Sequence, residues 1–133
     1  MLEFFMPMNP PTATHQEKKV SVVNGKPYFY EPQRLKDARQ LLRLSLAPHR
    51  PKSPMKGAIR LTTVWCFPRV KTSKDGQYKT TKPDTDNLQK LLKDVMTLLN
   101  YWNDDAQVAS EMIEKYWSDT PGIYIRIEKI KGA

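Results

Sequence analysis

Between stretches that alternate like strands, the chain carries the run that most constrains its fold: Leu88, Leu91, Leu92, Val95, Leu98 and Leu99 recur at helical spacing over Asp86–Leu99. Asn100 supplies a C-terminal stop. Before this helix, Ala58–Phe67 places Ile59, Leu61, Thr63, Trp65 and Phe67 on alternate positions, the pattern of a central strand. After it, Val108–Trp117 and Gly122–Ile130 read as two strands, the last alternating through Ile123, Ile125 and Ile127. An earlier, first helix is predicted over Pro32–Leu46, with Leu35, Ala38, Leu41, Leu42, Ser45 and Leu46 on its inner side. Leu2–Met6 reads as a first strand and Pro7–Gln16 as a loop rich in Pro and Thr. Val20–Val23 and Pro27–Tyr30 flank Asn24-Gly25, a dipeptide suited to hairpin turns that need positive φ. Strands dominate both ends and two helices lie within. The predicted class is therefore α+β: a single small domain over residues 1–133, with a mixed β-sheet and two main helices packed on it.

Charge is segregated along this framework. Met1–Lys82 holds 16 basic and 5 acidic residues, whereas Pro83–Ala133 holds 6 basic and 9 acidic. One part of the chain suits contact with phosphates, and another gathers acid. The basic part includes Lys36, Arg39 and Arg43 on the outer face of the first helix, then Arg50, Lys52 and Lys56 in a Pro-rich linker. It continues through Arg69, Lys71, Lys74, Lys79 and Lys82 in a stretch that reads as a mobile loop. These residues form the predicted nucleic-acid surface, contacting phosphates, against the simpler reading of a solvated charged face. Cys66 is the only cysteine, so no intrachain disulfide forms, and a reducing cytoplasm is the expected compartment. No apolar run approaches the length needed to span a bilayer, so no membrane association is expected.

The acids fall in two clusters, Asp84-Thr85-Asp86 at the start of the second helix and Asp104-Asp105 after it. Each has an ordinary structural explanation. Aspartate is a common helix cap, and Asn103-Asp104-Asp105 is turn-forming. The functional reading is that the short connection from Leu99 to Val108 doubles back, so that the carboxylates converge on one divalent cation. Mg²⁺ suits such a set, because it takes oxygen ligands and commonly bridges one or two carboxylates to a substrate phosphate. Lys90 lies four residues after Asp86 and four before Asp94. Spacing leaves open whether it forms a surface ion pair or stabilises negative charge in a transition state. One cysteine and two sequence-distant histidines, His15 and His49, match no zinc spacing. No Gly-rich phosphate loop is present, so no nucleotide cofactor is expected.

The segments Asp84-Thr85-Asp86-Asn87-Leu88-Gln89-Lys90 and Trp102-Asn103-Asp104-Asp105-Ala106-Gln107-Val108 resemble those of the RusA family of Holliday junction resolvases. Pro10-Pro11-Thr12 is similar to a Pro-Pro-Ser-Asn stretch in that family, while Ala13–Lys56 shows little similarity. The resemblance implies a Mg²⁺-dependent endodeoxyribonuclease, for which Mn²⁺ is a possible substitute. It implies a homodimer that cuts four-way or branched DNA by paired, symmetric nicks leaving 5′-phosphate ends, in recombination and repair, with a phage or prophage origin. It further implies that Asp84, Asp86 and Asp105 bind the metal and that Lys90 is catalytic, with Asp104, in the same segment, a further candidate ligand. The competing expectations are a branched-DNA-binding protein that does not cut, and a small metal-dependent endoribonuclease.

Overall fold

A computed structural model describes residues 1–14 and 19–132. In chain order these form β1 (Leu2–Pro7), β2 (Lys19–Val23), β3 (Lys26–Tyr30), α1 (Gln33–Leu46), β4 (Ile59–Pro68), α2 (Thr85–Leu98), β5 (Val108–Ser118) and β6 (Gly122–Lys129). Four strands make a mixed sheet in the order β1-β6-β4-β5, while β2 and β3 pair only with each other. The β4–β5 pair is parallel, and the β4–β6 and β1–β6 pairs are antiparallel. The predicted α+β class holds. The predicted hairpin holds too, with Asn24 and Gly25 both at positive φ.

Alternation along β4 decides which face is buried. Leu61, Thr63 and Trp65 are fully buried. Their register partners on β6 are Ile127, Ile125 and Ile123, also fully buried. On the other flank, Leu61, Thr63 and Trp65 pair with Glu111, Ile113 and Lys115 of β5. Paired residues share a face, so the apolar ladder of the covered face turns charged at this strand. The opposite flank is tightly closed: a Cβ on Gly122 would stand 2.3 Å from the Phe5 ring and 2.5 Å from the Met6 carbonyl oxygen.

Both helices add to the core, α1 through Leu35, Ala38, Leu42 and Leu46, and α2 through Leu88, Leu91, Leu92, Val95 and Met96. The buried stripe of α2 is rotated from the one expected. Gln89 and Met96 are buried, whereas Leu98 is 76% exposed. On α1, Leu41 likewise turns outward. Asn100 ends α2 at φ 62°, the left-handed conformation that asparagine tolerates. Tyr101 then closes the joint, its buried hydroxyl donating to the Leu46 carbonyl at the end of α1. Burial raises the Tyr101 phenol well above its ordinary pKa.

The stretch Arg69–Lys82 departs from its expected character as a loose loop. It runs antiparallel beside β5: Gly76 N–H donates to the Trp117 carbonyl at 2.8 Å, Trp117 N–H to Gln77 at 2.8 Å, and Lys79 N–H to Lys115 at 3.0 Å. Edge strands leave N–H and C=O groups unpaired, and this stretch pairs part of the β5 edge. Among the described residues, no helix is long and apolar enough to cross a membrane.

Candidate active site

Residue 84 stands at the N-cap of α2, with extended backbone and a carbonyl that accepts from Leu88 N–H at 3.1 Å. Its carboxylate makes no capping hydrogen bond. Asp86 lies in the first turn, and both acids are exposed. The head of the helix is anchored from β5, where Lys115 Nζ donates to the Thr81 and Pro83 carbonyls at 2.7 and 2.8 Å. The pair Asp84 and Asp86 is thus fixed through the backbone beneath it. Unpaired N–H groups and the macrodipole favour negative charge at this helix end.

Asp104 has a different task. Its carboxylate accepts from Ala106 N–H at 2.9 Å, and Gln107 Oε1 accepts from the N–H groups of Asn103 and Asp104. These contacts form a capping box on the short turn Asp105–Gln107. Gln107 Nε2 also donates to the carbonyls of Met55 and Gly57, which ties the turn to the segment before β4. Asp105 is half-buried in this turn.

The connection after α2 doubles back, but to the foot of the helix. Trp102 Nε1 bonds Thr97 Oγ1 at 2.8 Å, and Asp105 follows three residues later. From Asp86 to Thr97 the helix rises about 16 Å. Within one chain, therefore, Asp84 and Asp86 stand together while Asp105 stands at the other end of α2. Among the described residues, no three His, Cys, Asp or Glu side chains gather around a common metal position.

The model of the endodeoxyribonuclease RusA family matches residues 8–128. The chain belongs to the RusA endodeoxyribonuclease family. It is 32% identical over 130 residues to a crossover junction endodeoxyribonuclease, rusA, of Lactococcus phage r1t, covering 96% of this chain and 98% of that protein. It is also 29% identical over 121 residues to the uncharacterized protein YqaN of Bacillus subtilis strain 168, covering 83% of this chain and 84% of that protein.

Around the Asp84 and Asp86 pair the sheet and helix supply further groups that the sequence pattern did not single out. A groove of about 410 Å³ between α2 and β5 is lined by Asp86, Gln89, Lys90, Lys93, Glu111 and Ile113. Lys93 pairs with Glu111 at 2.6 Å and Lys90 with Asp94 at 3.2 Å. The positions of Gln89 and Lys93 relative to Asp86 were available from helical spacing. Glu111 needed the β4–β5 register, which no local pattern encodes.

The predicted DNA-facing residues separate into groups. Lys36, Arg39 and Arg43 line a cleft of about 350 Å³ between α1 and α2, with Val95 and Leu98 on its other wall. Arg39 also pairs with Glu31 at 2.9 Å. Lys71, Lys74 and Lys82 are exposed on the stretch beside β5, and Arg69 pairs with Asp119 at 2.5 Å. Lys79 departs from the expectation. It is 8% exposed, with its ammonium 4.3 Å from the Trp117 ring centroid and 5.3 Å from that of Phe67. Burial, then the neighbouring Lys115, lowers its pKa. His49 stacks on Phe4 with ring centroids 4.2 Å apart. His15, expected as a solvated loop residue, lies outside the described residues.

Proposed function

We propose that the protein is a Mg²⁺-dependent endodeoxyribonuclease that resolves four-way DNA junctions by paired, symmetric nicks, acting as a homodimer in a reducing cytoplasm. The observation that carries this reading is the exposed pair Asp84 and Asp86, presented within the family motif with the Asp84 carboxylate unused as a cap. Similarity to a phage crossover junction endodeoxyribonuclease supports the junction substrate and a phage or prophage setting.

The donor set fits the metal. Two aspartates offer hard oxygen ligands, and Mg²⁺ is commonly held by one or two carboxylates together with water and substrate phosphate. Asp84 and Asp86 would hold the ion, with Mn²⁺ as a substitute. When bound there, it would neutralise charge on the attacked phosphate and the leaving 3′ oxygen. Lys90, one helical turn from Asp86, supplies fixed positive charge for the transition state. Its resting pair with Asp94 is exposed and worth only a few tenths of a kcal/mol, so a phosphate can draw it away. Asp105 stands at the far end of α2, and it joins such a site from a second copy packed head to foot along the helix. A two-fold dimer supplies two equivalent sites, as two symmetric nicks require. The cleft of Lys36, Arg39 and Arg43, with Lys71, Lys74 and Lys82, receives the flanking DNA through its phosphates.

Incubation with Mg²⁺ and a synthetic four-way junction, a linear duplex or a structured RNA tests the reading. Paired nicks confined to the junction are expected. Tight junction binding without nicks identifies a non-cutting binder, and preferential cleavage of the RNA identifies an endoribonuclease.

A further inference from the structure

Gln89 is 2% exposed, and its Oε1 accepts from the Thr63 hydroxyl at 2.9 Å. The Thr63 oxygen in turn accepts from Trp65 Nε1 at 3.1 Å. An indole N–H can only donate, and with that bond in place the Thr63 proton goes to the carbonyl end of the amide. The Gln89 amide thus turns its NH₂ end away from Thr63. That Nε2 is buried and has no hydrogen-bond partner among the described residues.

Gln89 lines the α2–β5 groove with Asp86, Lys90, Lys93 and Glu111. A buried donor without an acceptor costs about 1–3 kcal/mol, which makes an unpartnered amide here an expensive way to fill space. The missing partner must offer acceptor oxygens and tolerate two neighbouring ammonium groups. A phosphodiester does both. It also meets the groove where its cations exchange most easily, because the exposed Lys90–Asp94 pair is weak.

We propose that the α2–β5 groove seats a phosphodiester of the DNA backbone and that Gln89 Nε2 donates to one of its non-bridging oxygens, fixing that phosphate beside Asp86. This inference rests on the nuclease reading and adds a neutral contact residue to it. Gln89→Glu tests the polarity: it retains an oxygen for Thr63 but places an acceptor where the donor stood. Gln89→Met removes both ends at similar volume.

Each variant is expected to cut a four-way junction about 10-fold more slowly or worse, the scale of a hydrogen bond to a charged group. For Gln89→Met, the salt dependence of junction binding should keep its slope, because no charge is lost. A second measurement uses the unaltered protein and so does not depend on either variant folding. The side-chain ¹⁵N–H₂ signals of Gln89 are followed by NMR as junction DNA is added in EDTA, and they should shift as the junction binds. Signals that stay fixed at saturation indicate an amide satisfied by trapped water and overturn the proposal, as does wild-type cutting by a folded Gln89→Met chain. An unaltered protein that shifts the Gln89 signals but never nicks DNA with Mg²⁺ refutes the nuclease reading and leaves the phosphate seat standing.

Discussion

Asp104 and Asp84 each precede a helical turn, yet only Asp104 uses its carboxylate on that turn, accepting from Ala106 N–H at 2.9 Å. Sequence spacing could not separate the two, because aspartate is equally at home in both settings. Hydrogen-bond bookkeeping does separate them. The same approach gives Glu114 a structural role. The Tyr116 and Tyr78 hydroxyls both donate to its Oε2, which joins β5 to the stretch beside it, where the two rings stack 4.6 Å apart. Those bonds, from Tyr116 first and Tyr78 second, hold the Glu114 carboxyl below its ordinary pKa. A carboxyl with a lower pKa folded than unfolded adds stability above its unfolded value, about 4.3, and loses it as pH falls through the folded one. Glu114→Gln should therefore be less stable than the unaltered chain in urea melts at pH 7, and the difference should close as the pH is taken below about 4. A difference that persists undiminished at low pH would assign the effect to something other than the carboxylate.

Elements were legible where their pattern is local. The strands, both helices and the Asn24-Gly25 hairpin follow from periodicity and turn chemistry, and Asn100 stops α2 as expected. What escaped depended on how elements meet. Leu98 fits the apolar spacing of α2 but falls outside the sheet contact, while Gln89 is drawn in by Thr63. Lys79 lies in a run that reads as a basic loop, and only the docking of that run beside β5 brings it against Trp117. The head of α2 is likewise placed by a tertiary contact, the two bonds from Lys115 Nζ to the Thr81 and Pro83 carbonyls. Lys115→Met should destabilise the protein by about 2 kcal/mol, the scale for charge-assisted hydrogen bonds. It should also speed hydrogen exchange in the first turn of α2. Unchanged exchange there would mean that the helix head is held by its own packing alone.

At the scale of the whole molecule, the parallel β4–β5 pair with α2 between them in sequence separates the acids that the sequence suggested would meet. A helix of 14 residues carries Asp86 at its head, and its length sets Asp105 beyond its foot. The two acidic segments stand out in the sequence but their separation does not, because distance along a chain says nothing about which end of an element a return loop reaches. On the proposed function, cutting takes place at the head of α2 and Asp105 reaches it from a second copy. The most direct measurement is nicking of a four-way junction in Mg²⁺ by Asp86→Asn and Asp105→Asn chains, alone and mixed, with junction binding followed in parallel. Each variant alone should bind as well as the unaltered protein or better, since negative charge has been removed, and should not cut. The mixture should recover nicking, because a mixed dimer retains one complete site. An Asp86→Asn chain that nicks at the rate of the unaltered protein would contradict the central claim.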